Sequence, residues 1–419
     1  MKLCKCRWMV FLFFLVFLPP ANAATAGTPT DDKIAVINSD RFYLLGFCSP
    51  GHSFAYTSVN EQDQWAIFLN ENQISDWHNN VRLIDISSDC KAVAYTGCRK
   101  EKCAIFLNKN RVSDWFESVS SETLYAKGNS IVYGAGSNNK RAVFINNKKV
   151  SNLYDSIGQI ILTDSDDHVA YVGKEGKWVP DVMNPDGSIF RGKAAAFLGQ
   201  KQISNWYDYI EIVSIAPDND TVTYKACSQG KCAVYKNRSV ISPYYGGLAG
   251  VKISADNKTV AYGAMSEGKW AIYVNHKRIS NQLFRDVGIT ALNIDGKCFA
   301  YVGGQGKWSR LPPDKEFFEG KKALFLNQKQ VSDWFNDILE ICLDDNGKDV
   351  IYKAGDDKNN YAIFYNTTRI SDWIGLGGMG RAEIFFSCEQ FKKTGVVEFI
   401  QRHDKKIEFV TFSKEKGRH

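Results

Sequence analysis

Val93 to Trp115 reads VAYTGCRKEKCAIFLNKNRVSDW. An apolar run closes on Tyr95, and the polar turn Arg99–Lys102 follows it. A second run, Ala104–Asn108, leads through a short turn to a third that ends in Ser113-Asp114-Trp115. Runs rich in Val, Ile, Phe, Tyr and Trp, cut by Asn, Asp, Gly and Lys, predict strands joined by hairpins. Anchored on the alanine of the second run, the block returns at Ala66, Ala104, Ala142, Ala196, Ala233, Ala271, Ala323 and Ala362. The intervals are 38, 38, 54, 37, 38, 52 and 39 residues. A fixed period of about 20–50 residues belongs to solenoids, propellers or arrays. Helix-pair repeats would need apolar residues at helical spacing over ten or so positions. Here the runs are short, β-branched and aromatic, so four short strands per repeat are expected, the layout of a propeller blade.

Taken in order, the chain holds a lone strand, Lys33–Asn38, then nine copies of a three-strand set. The inner runs lie near Phe42–Cys48, Val81–Ser87, Val119–Ala126, Gln159–Thr163, Ile210–Ala216, Gly250–Ser254, Gly288–Ile294, Ile338–Leu343 and Ala382–Ser387. Each second strand ends in an aromatic, from Tyr56 to Phe399. Only eight fourth strands follow, from Gln73–Trp77 to Arg369–Trp373. The spare N-terminal strand is therefore expected to complete the last blade and close the ring, which removes exposed sheet edges. The fold class is all-β: a β-propeller of four-stranded blades with a repeat of about 38 residues. Nine units are counted, and eight with one irregular unit is the alternative. The expected domains are a signal peptide at 1–23, a flexible lead-in at 24–32, one propeller at 33–413 and a basic tail at 414–419.

An Asp-containing turn, then x-Val-Ala-Tyr, then Gly-Lys-Trp-Ala-Ile-Tyr-Val-Asn resembles the propeller repeats of TolB-type periplasmic proteins and of WD-repeat-like propellers. Ala255–Asn275 and Asp295–Trp308 carry the pattern best. The family's Ser-Pro-Asp-Gly turn occurs in fragments, at Ser49-Pro50-Gly51, Pro217-Asp218-Asn219 and Asp295-Gly296. The resemblance spans nearly the whole mature chain and implies the architecture. It does not imply a role in the Tol system, because the family's separate N-terminal domain has no counterpart here.

Residues 1–23 carry the marks of a secretory signal: Lys2, Lys5 and Arg7, the apolar run Trp8–Leu18, and Ala21-Asn22-Ala23 as a cleavage site. The run is shorter than the roughly 20 residues a membrane span takes, and no membrane span is expected after signal removal. The formal charge of +6 drops to about +3 without those three basic residues, so nucleic acid is not an expected partner. Export implies an oxidising compartment. Cys98 and Cys103 flank one hairpin turn, and Cys227 and Cys232 flank another at the same point of its repeat. Facing hairpin positions lie about 4.5–5.5 Å apart at Cα, within disulfide range, so both pairs are disulfide candidates, free buried thiols being the competing explanation. Pairing of Cys48, Cys90, Cys298, Cys342 and Cys388 stays open, and an odd count leaves at least one thiol over.

The two long intervals come from enlarged connections between second and third strands, Trp178–Lys193 and Trp308–Lys321. Long loops are uncommon and often functional. Trp178, Asp181, Met183, Phe190, Arg191, Trp308, Arg310, Phe317 and Phe318 are the candidate partner-binding residues, because aromatics and arginine dominate interface energetics. Hairpins that pack on their own blade are the competing explanation. The recurring Ser-Asp/Asn-Trp, at Trp77, Trp115, Trp206, Trp334 and Trp373, is expected to pack between blades rather than to stack sugars. Gly375–Gly380 matches GxGxxG, and Tyr245–Gly250 is a similar link. No βαβ unit surrounds either, so both read as inter-blade connections.

No GxSxG, HExxH or phosphate loop is present. No cysteine or histidine spacing suggests a metal, and no cofactor is expected. His168, beside Asp164–Asp167, reads as part of a solvated turn. Asn219, Asn237, Asn257 and Asn366 open Asn-x-Ser/Thr triplets. The expected function is an exported, non-catalytic scaffold that binds another envelope or extracellular protein through the face carrying 178–193 and 308–321. The alternative is a sialidase-like or other carbohydrate-active enzyme that takes a glycan in the central channel. Ser254-Ala-Asp256-Asn-Lys-Thr259 is a partial Asp box for that reading, without its glycine and tryptophan. The oligomeric state is not readable.

Overall fold

Alternating β-branched and aromatic residues interrupted by turn formers give nine sheets, eight of four strands and one of five strand pieces. The structure is a computed structural model that describes residues 30–37, 41–48, 53–86, 91–119, 125–127, 130–162, 168–181, 184–311, 315–375, 384–404 and 406–413. The signal-peptide and basic-tail assignments lie outside these residues, as do Cys90, Met183 and most of Gly375–Gly380. Blades one to eight follow one another along the chain from Phe42 to Arg369, each an antiparallel meander. Blade three is the sheet of five pieces, because its inner strand comes as Ser118–Val119 and Tyr125–Lys127.

Blade nine contains Ile384–Phe386, Val397–His403 and Lys406–Phe412, with Thr30–Val36 as its outer strand. That strand pairs antiparallel with the last one, from Thr30 opposite Thr411 to Val36 opposite Lys406. The N-terminal strand thus closes the ring. It starts at Thr30, inside the stretch read as a lead-in. A seven-residue helix, Cys388–Thr394, replaces the inner turn of this blade. The Ser387 hydroxyl accepts from the Gln390 N–H at its start, and Gly395 ends it at φ 71°.

Three repeated devices build a blade. First, the tyrosine of the second strand stacks on the aromatic opposite it on the third. Tyr95–Phe106, Tyr133–Phe144, Tyr171–Phe197, Tyr301–Phe325 and Tyr352–Phe364 all lie 5.1–5.3 Å apart at 6–10°. Such pairs add about 0.5–1.5 kcal/mol beyond area burial. Second, an asparagine ends most third strands: the Asn108 side-chain oxygen accepts from the Val93 N–H at 3.0 Å, and its own N–H donates to the Val93 carbonyl. Asn70, Asn146, Asn237, Asn275, Asn327 and Asn366 do the same, all at positive φ. Third, in blades one to eight the fourth strand is only two residues long, and a serine replaces its continuation. Ser113 Oγ accepts from the Ile105 N–H at 2.8 Å and donates to the Asp114 carbonyl. Ser75, Ser151, Ser204, Ser242, Ser280, Ser332 and Ser371 repeat the first of these bonds. The expected strand through Ser-Asp-Trp is therefore a turn.

The tryptophans after those serines pack as expected. Trp115 lies against a cluster that joins Ala55 and Ile67 of blade one to Tyr95 and Phe106 of blade two. Trp206 lies against a cluster that joins Val132 and Val143 of blade three to Tyr171 and Phe197 of blade four, and meets the Phe197 ring. The next residue bridges back to the third strand and packs beneath the stack: Phe116, Tyr154, Tyr207, Tyr245, Phe284 and Phe335.

In blade two that place is taken by His78, 1% exposed, with neither ring nitrogen hydrogen-bonded. Burial, and then the Arg99 cation, push its pKa down; Asp76 offsets this in part. The folded chain then binds fewer protons at this site than the unfolded chain, whose value is about 6.5. The cost is absent above that value, grows as pH falls below it, and is complete below the folded value. His78→Phe is expected to raise the melting temperature more at pH ~5 than at pH ~8. An equal shift at both pH values, measured by thermal unfolding, would sink this account.

Cys98 bonds to Cys103 and Cys227 to Cys232, each pair with Cα atoms 4.0 Å apart. Cys342 of the blade-eight inner strand bonds to Cys388 of the blade-nine helix. Cys48 is also disulfide-bonded. Among the described residues Cys298 is free.

Candidate partner-binding face

Successive strands of a blade run in opposite directions. The turn between second and third strands therefore opens on the same face as the link from one blade to the next. In blades four and seven that turn is not a loop, as the sequence reading had it. The second and third strands continue outward as a two-stranded ribbon. In blade four Val169–Asp181 pairs with Asn184–Leu198, out to Asp181 opposite Asn184. In blade seven Phe299–Leu311 pairs with Lys315–Leu326, out to Leu311 opposite Lys315.

Facing glycines lie at the root of each ribbon. Gly176 opposes Gly192 and Gly306 opposes Gly320. A Cβ on Gly176 would lie 2.2 Å from the Arg191 carbonyl oxygen, and one on Gly306 would lie 2.1 Å from that of Glu319. Only glycine lets the strands approach this closely as they leave the blade. Phe-x-Gly-Lys recurs in the sequence at 190–193 and 318–321, whereas the Gly-Lys-Trp of 176–178 and 306–308 also occurs at 268–270, where the turn is short.

Register places Trp178 opposite Phe190 and Trp308 opposite Phe318. The rings sit edge-to-face at 5.5 Å in the first pair and tilted at 5.6 Å in the second. Trp178 is 45% exposed and Trp308 50%. The Arg141 guanidinium of blade three lies over the Trp178 ring at 5.5 Å. The Trp308 N–H donates to the Arg285 carbonyl at 2.9 Å, in the link that enters blade seven from blade six. Arg191 opposes Lys177, Arg310 opposes Glu316, and Phe317 opposes Ser309. The side chains of Asp181, Arg310 and Phe317 lie outside the described residues. Each ribbon is tethered at its base to the following blade. Lys193 binds Asp208 at 2.5 Å, which, with the Gln229 N–H, holds that carboxyl below the usual range. Lys321 pairs with Asp357 of blade eight.

Exposed apolar side chains are not spread around the ring. Among the described residues, the large ones are Leu153, Trp178, Ile189, Tyr209, Val240, Tyr244, Leu283, Ile294 and Trp308. All fall between the entry to blade four and the ribbon of blade seven. Trp178, Ile189 and Trp308 belong to the ribbons, Leu153, Tyr244 and Leu283 to inter-blade links, and Tyr209 opens the inner strand of blade five where its link enters, so these share one face; Val240 and Ile294 do not.

Sequence reasoning missed two buried lysines that sit at the same position of blades five and eight. Lys225 pairs with Glu211 at 2.6 Å and Lys353 with Glu340 at 2.8 Å. Each ammonium also reaches a carbonyl of the next blade's inner strand, Leu248 or Ile384, at 3.4 Å. Buried ions hold their places only with such partners, so these pairs fix neighbouring blades. On the face away from the ribbons, the inner-strand ends of blades four to six enclose a cavity of about 570 Å³. Among the described residues its polar side chains are Ser214, Asn219, Ser254 and Asn257. The partial Asp box is self-contained: Ser254 Oγ donates to Asp256 at 2.6 Å and accepts from the Thr259 N–H at 2.9 Å. Among the described residues no three His, Cys, Asp or Glu side chains gather as a metal group, and no helix is long and apolar enough to cross a membrane.

No protein-family model matches the chain, and no curated protein does. Among solved structures it is similar to a eukaryotic initiation factor at 10% identity, over 84% of this chain and 88% of that one, with a TM-score of 0.44. It is similar to TolB from Acinetobacter baumannii at 16% identity, over 54% of this chain and 60% of that one, with a TM-score of 0.31. The β-propeller domain of the trilobed protease from Pyrococcus furiosus is similar at 12% identity, over 71% of this chain and 99% of that one, with a TM-score of 0.32. These likenesses are of fold alone.

Proposed function

We propose that the chain is an exported, non-catalytic scaffold that binds another protein through the ribbon face of blades four to seven. One observation carries the reading: among the described residues, the exposed large apolar side chains fall in that sector, and most of them on that face. A symmetric ring with no partner has no physical reason to leave one sector apolar, because exposed apolar patches favour burial. The paired ribbon aromatics are the rigid, half-buried anchors that protein interfaces use. Export is supported by the basic, apolar and small-residue order of residues 1–23 and by the hairpin disulfides.

The test is crosslinking and capture from the native envelope or secretion fraction with the mature chain and a Trp178→Ala/Trp308→Ala variant. Each tryptophan is expected to contribute about 2 kcal/mol or more, so recovery of one defined protein should fall at least ~100-fold in the double variant. Thermal unfolding of the two chains should coincide within a few degrees, since both rings are about half exposed. Equal, diffuse recovery from both chains would reject the reading.

A further inference from the structure

The register of the blade-seven ribbon decides which main-chain groups leave its edges. Both backbone groups of Lys322 bond to Phe335, on the side of the outer strand. Lys322 and Gly304 opposite it therefore form a pair without mutual hydrogen bonds. Bonded and open pairs alternate along an antiparallel ladder, and the register runs on without a shift to Leu311 opposite Lys315. The N–H and C=O groups of Gly306, Trp308 and Arg310 thus point away from the third strand. They point to the side on which the inner strand, Asp286–Leu292, pairs lower down. That pairing stops at Asp286 opposite Gly304, and among the described residues no strand continues it.

Other blades close this edge. In blades two, four and five the link residues Asn79, Asp155 and Asp208 donate to the carbonyls of Cys98, Lys174 and Cys227. Each also accepts, through its side chain, from the N–H two residues further on, that of Lys100, Gly176 or Gln229. In blade seven Arg285 donates to the Gly304 carbonyl in the same way, but a guanidinium cannot accept. The Gly306 N–H therefore lacks the partner that Gly176 has. Blade four differs again two residues beyond its tryptophan, where Pro180 holds the register position that Arg310 holds in blade seven. Proline has no N–H to offer, and natural sheets use it to blunt an edge. The blade-four ribbon thus presents the Trp178 N–H alone on this edge, whereas the blade-seven ribbon presents three in a row.

We propose that an extended segment of the partner protein adds to this edge as a third strand of the blade-seven ribbon, with an apolar side chain beside Trp308. The proposal rests on the scaffold reading and names how the partner is held. In strand addition main-chain bonds supply affinity, and alternate side chains supply specificity. A two-stranded ribbon is marginal in water, and a third strand with an apolar face stabilises it. Trp308 is 50% exposed, and Leu283, in the link two residues before Arg285, is 46% exposed. Apolar surface therefore lies beside the open edge, where every second side chain of an added strand would meet it.

The probe is a fluorescein-labelled peptide of about eight residues, a common strand length, alternating valine and threonine. The control is the same peptide N-methylated through its central half, which removes its own main-chain donors there. The mature chain, Arg285→Asp and Arg310→Pro are titrated by anisotropy. The mature chain should bind the plain peptide at least ~10-fold tighter than the methylated one. Arg285→Asp copies Asp155 and Arg310→Pro copies Pro180, so both should melt with the parent. Each takes one donor from the edge and should weaken the plain peptide about five-fold or more. The two substitutions are independent, so one that unfolds leaves the other to decide. Hydrogen exchange at the Gly306, Trp308 and Arg310 amides should slow when the plain peptide is present. Equal binding of the two peptides, binding unchanged by the substitutions, or no binding of either peptide overturns the proposal. A chain that dimerises without peptide and protects these amides also overturns it, in favour of a second copy on the edge. The scaffold reading is judged apart: a protein captured by the parent and lost from the tryptophan double variant supports that reading whatever the peptide does.

Discussion

A mature chain that lacks residues 30–37 is expected to lose the closed ring. Thr30–Val36 supplies the whole outer strand of blade nine. Without it, the edge of Lys406–Phe412 is left unpaired, and Ile37, 3% exposed, leaves a cluster it shares with Phe42, Leu44, Phe54 and Tyr56 of blade one. Ile400, Ile407 and Phe409 of blade nine belong to the same cluster, so the cut falls where the ends of the chain meet. One buried isoleucine and some six strand pairings together exceed about 5 kcal/mol, a large part of the stability of a typical domain. The open edge is also a template for pairing with another copy. Thermal unfolding should become broad, and size-exclusion chromatography should show aggregates. Joining residues 30–37 after Phe412 by a flexible linker should restore the sharp transition. A truncated chain that stays monomeric and melts with the parent would show that the ring does not depend on this strand.

Tyr301→Ala is expected to have the second-largest effect, about 3–5 kcal/mol, the usual cost of removing a buried aromatic ring. Tyr301 is 1% exposed, stacks on Phe325 at 5.1 Å and meets Phe284 edge-on at 5.9 Å. Burial pushes its hydroxyl up to about 12. It belongs to a cluster that includes Ile272 of blade six, so the cavity would open between two blades. Collapse is hindered because Gly303 already lies on Phe284: a Cβ there would come within 2.2 Å of the ring. Denaturant unfolding should show a lower midpoint with an unchanged slope. A midpoint shift worth less than about 1 kcal/mol would mean that the blades repack freely, against the close packing of protein interiors.

The recurrent Asn shows how far a motif can be read. Asn237 and Asn366 open glycosylation triplets, yet both side-chain groups are already used within the fold. The Asn237 amide accepts from Val222 and donates to the Asp220 carbonyl, and that of Asn366 accepts from Val350 and donates to Asp349. The residues are evident in the sequence; their role follows from a turn in which asparagine at positive φ imitates the backbone.

By itself the sequence determined what is local and repeated. The period, the hairpins, the aromatic of each second strand and the two hairpin cysteine pairs all rest on residues a few positions apart, although the strand does not end at that aromatic as expected but runs on, from Tyr95 to Arg99 in blade two. Counting strands was enough to predict that the first would complete the last blade, because an unmatched strand and an unfilled edge have only each other. Tertiary structure decided whatever joins residues far apart in the chain. Cys342 and Cys388 are 46 positions apart, and only the docking of blade nine on blade eight brings their Cα atoms within 5.6 Å. His78 reads as an ordinary polar residue until the blade buries it where other blades hold Phe or Tyr. The ribbons hid in plain view because glycine, proline and aspartate are weak strand formers, and only the facing glycines with their close backbones make strands of them. The direction in which each ribbon tryptophan points, Trp178 toward Arg141 and Trp308 toward Arg285, follows from contacts with neighbouring elements of the ring, which no local pattern encodes.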